Sequence, residues 1–295
     1  MFDISALYEA QSIAQAVRLL EEHPQAHVIA GGSDVLIKIR SGRMAGAELV
    51  SIYGIDELRG VTKEEDGTIR IGSLTSFSHI HDDPVIRKHL AVLSEAVNMV
   101  GGPQIRAIGT IGGNTCNGVT SADSASTLFA YDAVLELTGP EGTRTLPISE
   151  FYLGPGRVAL KPAEIETAVL IPKKSYSGYK GCYIKYGMRN AMEIATTGCS
   201  VNVKLSQDKR TIRDIRIGYG VAAPTPIRAR TAEREICGRP VSAETRSLLG
   251  ETVLRDVTPR DSWRASKDFR LHLCSTLAIR AFTEAVRLSG GEIDD

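Results

Sequence analysis

The sequence contains 295 residues, of which 42% are hydrophobic and 24% are charged, so it is long enough to form about two or three domains with separate cores. Lysine plus arginine and aspartate plus glutamate both number 35, so the chain carries no net charge that would favour nucleic acid or an anionic membrane. It has no apolar run of about 18 residues and no secretory pattern at its N-terminus, so we expect a soluble, cytoplasmic protein.

The first predicted unit, residues 1–58, combines one amphipathic helix with short strands. Residues 12–22 carry apolar side chains at helical spacing, and Pro24 ends that helix. Residues 27–30 predict a strand that leads directly into the glycine loop AGGSD. The apolar segments VLIKIR and LVSI follow, and we expect both to belong to a small buried sheet.

The second predicted unit, residues 59–175, begins with the strand TIRIGSL, after which Thr75 or Ser76 can cap a helical turn. Pro84 is suited to start a helix, which we predict over PVIRKHLAVLSEAVNMV because its apolar residues form one stripe. Farther along, DSASTLFAYDA predicts a helix, and AVLELTG, TRTLPI and EIETAVLIP predict strands bounded by glycine and proline.

Between these elements lies a glycine-rich segment, residues 105–123, which predicts an irregular loop and not a regular helix. We expect its glycines to adopt positive φ or to approach a ligand closely, at Gly109, Gly112 and Gly113. If this segment and the AGGSD loop converge, they could hold opposite sides of one long anion, because glycine-rich backbone presents N–H donors. Neither matches a strong phosphate fingerprint, and each alone could be an ordinary tight turn.

The C-terminal part of the chain, residues 178–290, shows strands followed by helices. GCYIKYGMR, CSVNVKLS and TIRDIRIGYGV predict three long strands, the last two joined as a hairpin. RARTAEREICG, SAETRSLLGETVLRDV and KDFRLHLCSTLAIRAFTEAVRLSG then predict helices. This order is typical of an α+β domain with its helices on one face of a sheet.

The five cysteines are widely spaced and include no CxxC pair, so we expect no zinc site or iron–sulfur cluster in this chain. Each is predicted to be a reduced, buried side chain. Cys116 is held open as an exception because it lies within the glycine-rich segment. No metal ligands are predicted.

Taken together, VIAGGSDVL and IRAIGTIGGNTCNGVTSADSAS resemble the FAD-binding medium subunit of the molybdenum hydroxylases, most closely the flavin subunit of bacterial xanthine dehydrogenases. The resemblance covers nearly the whole chain. It implies an α+β fold with a two-subdomain FAD-binding module, residues 1–58 and 59–175, of the type shared with vanillyl-alcohol oxidase-like flavoproteins. A C-terminal α+β domain, residues 178–290, would follow.

The resemblance also implies roles for particular residues. The first loop would bind the FAD pyrophosphate through Val28, Ile29, Ala30, Gly31, Gly32, Ser33 and Asp34. The second segment would bind pyrophosphate and ribityl through Thr110, Gly112, Gly113 and Asn114. Asp123 would hold ribityl hydroxyls, Ile165 would pack on adenine, and Lys185 would lie near the flavin ring.

Two of these residues have simpler interpretations that the sequence leaves open. Asp123 could cap the helix that follows it, and Lys185 could be a solvent-facing lysine on a strand. A lysine near the ring would stabilise the negative charge of reduced flavin. We name no catalytic residue, since flavin chemistry needs no protein acid or base.

In the resembled family, substrate is hydroxylated at a molybdopterin site in a large subunit, and electrons cross [2Fe–2S] clusters in a small subunit. This chain would receive them at FAD and reduce NAD+. Val100 stands where some relatives have an aromatic residue near the flavin, so the acceptor stays open. The alternatives are a freestanding flavin-dependent oxidase or reductase, and a non-enzymatic assembly module that has lost FAD. The substrate and the oligomeric state do not follow from the sequence.

Overall fold

The computed structural model describes residues 2–293. Its N-terminal part is a small sheet of parallel strands in the order β1–β3–β2, flanked by two helices. These elements are β1 (Ile4–Glu9), α1 (Ile13–Glu22), β2 (His27–Ile29), α2 (Val35–Arg40) and β3 (Ala47–Ser51). Helix α1 lies where the sequence predicts it, and the Ser12 hydroxyl caps it by accepting from the amide of Gln15.

The prediction of a strand over VLIKIR is wrong, because these residues form helix α2. Ile39 is buried in this helix whereas Ile37 is 49% exposed, so only one helical face contacts the core. A short apolar run fits a buried strand and a short helix equally well, which explains the error. Strand β1, by contrast, was not predicted from the sequence.

The central part of the chain is a five-stranded antiparallel sheet in the order β4–β5–β10–β6–β7, with helices packed against it and a two-stranded hairpin, β8 and β9, beside it. Its strands and the hairpin are β4 (Val61–Lys63), β5 (Ile69–Gly72), β6 (Val134–Gly139), β7 (Gly142–Pro147), β8 (Tyr152–Gly154), β9 (Arg157–Val158) and β10 (Ile165–Ile171). Its helices are α3 (Phe77–Asp82), α4 (Pro84–His89), α5 (Ala91–Asn98), α6 (Pro103–Ile108), α7 (Ile111–Cys116), α8 (Asp123–Ala130) and α9 (Ile148–Phe151).

Two predictions for this part need correction. The single helix expected from Pro84 onward is two helices, because the chain turns at Leu90, whose side chain is completely buried. The glycine-rich segment contains helices α6 and α7 where we expected an irregular loop. Its glycines lower helix propensity, but Thr110 caps α7 and tertiary packing overrides that local cost.

The C-terminal part is a four-stranded antiparallel sheet in the order β11–β12–β13–β14. It comprises, after helix α10 (Lys173–Tyr176), the elements β11 (Lys180–Tyr186), β12 (Thr197–Leu205), β13 (Ile212–Gly220), β14 (Ile227–Arg228), α11 (Arg230–Ile236), α12 (Ala243–Thr252) and α13 (Lys267–Leu288). Alternate residues of β12, such as Val201 and Val203, share an apolar core with α13. The predicted α+β fold class is confirmed.

The opposite face of this sheet packs on the central part of the molecule, mainly on α8. At Gly218 the contact is so close that a Cβ atom would lie 2.0 Å from the carbonyl oxygen of Ser126. Glycine is therefore required there for the sheet to approach the helix. Within residues 2–293, no helix has the length and apolar character needed to cross a membrane.

Candidate functional site

A cleft of about 500 Å³ lies between the N-terminal sheet and the central sheet, and both glycine segments line it. The segments touch: a Cβ atom on Gly31 would lie only 1.8 Å from the carbonyl oxygen of Ile108. The expected convergence of the two segments is therefore found. Two independent surface turns would not need such a contact.

The first glycine loop, residues 30–34, contains backbone amides that are free to donate hydrogen bonds to a ligand. Within residues 2–293, the amides of Gly31, Gly32, Ser33 and Asp34 donate to no protein group. Gly32 has φ of 73°, a conformation that favours glycine. Consecutive unpaired amides in one tight bend form a concavity suited to an anion.

The second glycine segment differs, because the amides of Gly112, Gly113 and Asn114 already have partners. Gly112 donates to the carbonyl of Ser73, and Gly113 donates to the Thr110 hydroxyl at 3.1 Å. Gly112 also has no room for a side chain, since a Cβ atom there would lie 2.6 Å from the Cβ atom of Ser73. Thr110, Gly112, Gly113 and Asn114 thus line the cleft as small residues, and the amides of the last three are not free to bind a ligand.

The predicted site residues divide into two groups. Those that line the cleft are Val28, Ala30, Gly31, Gly32, Ser33, Asp34, Thr110, Gly112, Gly113, Asn114 and Ile165. Ile29, Asp123 and Lys185 are not among the lining residues. Ile29 lies in β2, where its carbonyl accepts from the amide of Ile52.

Asp123 and Lys185 form a buried pair of their own. The Lys185 ammonium lies 2.8 Å from one carboxylate oxygen of Asp123, and the Tyr183 hydroxyl donates to the other at 2.7 Å. Lys185 also donates to the carbonyl of Met99. Burial raises the pKa of Asp123, while Lys185 and Tyr183 oppose that shift. The pair joins the C-terminal sheet to helix α8.

Both simpler interpretations of this pair are wrong. The side chain of Lys185 is only 9% exposed, so it is not a solvent-facing lysine. Asp123 is the first residue of α8 and follows the cap position, which Ala122 occupies without a side-chain bond. Lys185 instead forms a buried ion pair in which the Asp123 carboxylate compensates its positive charge.

Glu166 is one of the lining residues that the sequence did not predict. It lies on β10 with 3% exposure, and its Oε2 atom accepts from the Thr115 hydroxyl at 2.6 Å and from the Cys116 thiol at 3.4 Å. Burial raises its pKa to about 8. The available signal was a charged residue within the otherwise apolar run IETAVLI.

Cys116, which the sequence left open as an exception among the cysteines, does not have the character of a reactive thiol. Burial and the neighbouring Glu166 carboxyl raise the pKa of the thiol well above its usual value. Reactive cysteines need a lowered pKa and some access to solvent. Cys116 is therefore a structural residue that donates to Glu166.

The lining of the cleft fits a dinucleotide. The unpaired amides of the first glycine loop suit a pyrophosphate. Apolar walls suit flat rings, and they are formed in part by Leu20, Ile52, Leu74, Leu160 and Ile165. Gly31, Gly32, Gly112 and Gly113 leave the space between the two segments free of side chains.

Comparisons with known proteins agree with this geometry. Residues 2–174 match the family described as the FAD binding domain in molybdopterin dehydrogenase, and residues 182–285 match the CO dehydrogenase flavoprotein C-terminal domain. The chain is 44% identical over 293 residues to the putative xanthine dehydrogenase FAD-binding subunit of Escherichia coli (strain K12), covering 99% of this chain and 100% of that relative. It is 28% identical to the carbon monoxide dehydrogenase medium chain of Hydrogenophaga pseudoflava, covering 93% of this chain and 94% of the other.

A solved structure of carbon monoxide dehydrogenase from Hydrogenophaga pseudoflava superimposes on the chain with a TM-score of 0.91 at 27% identity. The match covers 98% of this chain and 99% of the other. The similarity therefore extends over nearly the whole chain.

Proposed function

This chain belongs to the FAD-binding medium subunits of the molybdenum hydroxylase family, and on that premise we propose that it passes electrons from a partner's [2Fe–2S] clusters through FAD to NAD+. It is an oxidoreductase subunit with FAD as its own cofactor. The substrate would react elsewhere, at a molybdopterin site in a large partner subunit. The relative of highest identity named above makes xanthine or another N-heterocycle the proposed substrate class.

The observation that carries the proposal is the run of unpaired amides in the first glycine loop, in contact with the second segment across one cleft. These amides would hold the pyrophosphate, and Thr110 and Asn114 would contact it or the ribityl chain. Ile165 would pack on the adenine. When bound, FAD accepts electrons singly or in pairs, and so can connect iron–sulfur clusters with a two-electron acceptor.

Lys185 and Asp123 would act at the flavin end of the site. A buried lysine supplies positive charge that stabilises reduced flavin, and Asp123 holds this lysine in place. Asp123 could still accept from ribityl hydroxyls, because a carboxylate offers about four lone-pair sites and only two are used by Tyr183 and Lys185.

We propose the domain division stated above, with residues 1–58 and 59–175 forming the FAD module and residues 178–290 the C-terminal domain. A cytoplasmic location also belongs to the proposal. It is supported by five cysteines that are all free, which is typical of a reducing compartment.

The test is to express the full chain alone and together with its proposed partner subunits. We expect one FAD per chain, copurification with molybdopterin and [2Fe–2S] subunits, and bleaching of the FAD visible absorbance by NADH. A chain that neither retains nor takes up FAD would contradict the proposal as a whole. Retained FAD that NADH cannot reduce would contradict only the choice of acceptor, and turnover by the isolated chain would favour a freestanding flavoenzyme.

A further inference from the structure

Lys38 brings a positive charge to the cleft that no carboxylate compensates. Within residues 2–293 it is the only lysine or arginine that lines the cleft, and it forms no ion pair. Its ammonium donates instead to the Oδ1 atom of Asn117 at 3.0 Å. Lys185 differs in this respect, because the Asp123 carboxylate compensates its charge. The charge of Lys38 is therefore available to a ligand.

The position of Lys38 on helix α2 directs its side chain toward the first glycine loop. The helix begins at Val35, directly after that loop, and the amide of Lys38 donates to the carbonyl of Asp34 one turn back. Because helical side chains tilt toward the N-terminus, we expect the lysine stem to lean toward the loop whose amides have no protein acceptor. Lys38 is only half-buried and lines the cleft, so a ligand there can reach its side chain.

Asn117 holds the ammonium of Lys38 from another part of the chain. It directly follows helix α7, so the contact joins the N-terminal unit to the central part across a sequence separation of 79 residues. An amide oxygen uses one of the three ammonium protons and leaves two for a ligand. Because the amide is neutral, it fixes the ammonium without reducing its charge. Asn117 is thus suited to be a positioning residue.

The charge of Lys38 indicates which part of a dinucleotide it would meet. The diphosphate is the anionic part of FAD, whereas the adenine, the sugar hydroxyls and the oxidised flavin ring are neutral. Lysine binds phosphate as a point charge, and the attraction is stronger in a partly dehydrated cleft than in water. Asp34 also lines the cleft, and a cation near it would offset the repulsion between its carboxylate and the diphosphate.

We infer that the Lys38 ammonium pairs with the diphosphate of the bound dinucleotide and that Asn117 positions it. This inference rests on the proposed function, because it presupposes that the cleft takes FAD. Lys38 lies outside both glycine segments, so their motifs assign it no role. It would add a charged side chain to the backbone donors of the first loop, and it acts in binding, not at the reacting ring.

Lys38→Met tests the charge, because methionine keeps much of the apolar stem. The full chain with FAD removed is titrated with FAD, ADP and adenosine. We expect the affinities for FAD and ADP to fall about tenfold, and the affinity for adenosine, which has no phosphate, to stay unchanged. Lys38→Arg keeps the charge and should recover most of the affinity. Arg40→Met is the matched control, since it removes the same charge from the same helix, but Arg40 is exposed and does not line the cleft.

Asn117→Asp provides a second test that keeps the lysine. The new carboxylate would pair with Lys38 and cancel its charge, so FAD affinity should fall about as far as in Lys38→Met. Salt separates charge from packing: added sodium chloride should weaken FAD binding to the unsubstituted chain more than to Lys38→Met, because the variant lacks one charge pair. Thermal unfolding checks that each variant is folded, and Asn117→Asp decides the question if Lys38→Met is not.

The outcomes separate this inference from the proposed function. If Lys38→Met binds FAD as tightly as Arg40→Met does, the role of Lys38 is refuted and the flavin function stands. If Lys38→Met weakens adenosine as much as ADP, the lysine contacts the nucleoside and the inference is wrong. If Lys38→Met weakens FAD binding but keeps the full salt dependence, Lys38 acts through packing and the inference is equally wrong. If the unsubstituted chain binds neither FAD nor ADP, the proposed function itself has failed.

Discussion

Two glycine-rich segments border one cleft, but their glycines meet different physical requirements. In the first loop, Gly32 takes a positive φ and the neighbouring amides have no protein acceptor. In the second segment, Gly112 lies in helix α7, its amide is already bonded, and its missing side chain makes room for Ser73. The first loop is thus arranged for a ligand and the second for close packing, although their sequences look alike.

The largest expected effect comes from breaking the contact between the two segments. In Gly31→Ala the new methyl group would overlap the carbonyl of Ile108, so the segments must separate. Strain of about 1–3 kcal/mol is typical of such overpacking, and we expect FAD affinity to fall by about 10- to 100-fold. Isothermal titration of the FAD-free chain measures this loss.

Gly154→Ala is the matched control for this substitution. Gly154 has no neighbour within 4 Å of a Cβ position and no positive φ, so alanine should bind FAD as the unsubstituted chain does. If Gly31→Ala binds as tightly as Gly154→Ala, the contact between the segments does not shape the binding site.

A second prediction concerns stability and sharpens the contrast within the second segment. Gly112→Ala would push a methyl group onto Ser73, and we expect a loss of about 1–3 kcal/mol in the free energy of unfolding. Gly113→Ala meets only the Thr110 hydroxyl, at 2.9 Å, so its change should stay within about 1 kcal/mol. Urea unfolding of both variants without FAD provides the comparison; equal losses would contradict the packing role of Gly112.

The smallest expected effect concerns the cap of helix α7. Thr110→Ala removes the hydroxyl that accepts from the amide of Gly113, which should cost about 1 kcal/mol of stability. It would also free that amide, making the second segment resemble the first. Thr110→Ser keeps the hydroxyl and should restore the stability measured by urea unfolding, whereas a loss equal to that of alanine would argue against capping.

Local patterns were sufficient for much of the fold. Helix α1 and the long strands β12 and β13 follow from the spacing of apolar residues along the chain. Such spacing records which face of an element meets the core, and that is a property of neighbouring residues. Family membership likewise followed from paired motifs within the sequence.

Other features depended on contacts between distant parts of the chain. Buried Leu90 lies between α4 and α5, and the glycine-rich helix α7 packs closely on Ser73. The partners of Lys185 and Glu166 come from other elements, at sequence separations of 62 and 51 residues for Asp123 and Thr115. The sequence by itself therefore determined the periodic elements and the motifs. Only the tertiary structure decided which polar groups became buried, paired or left free, because desolvation and hydrogen bonding depend on neighbours in space.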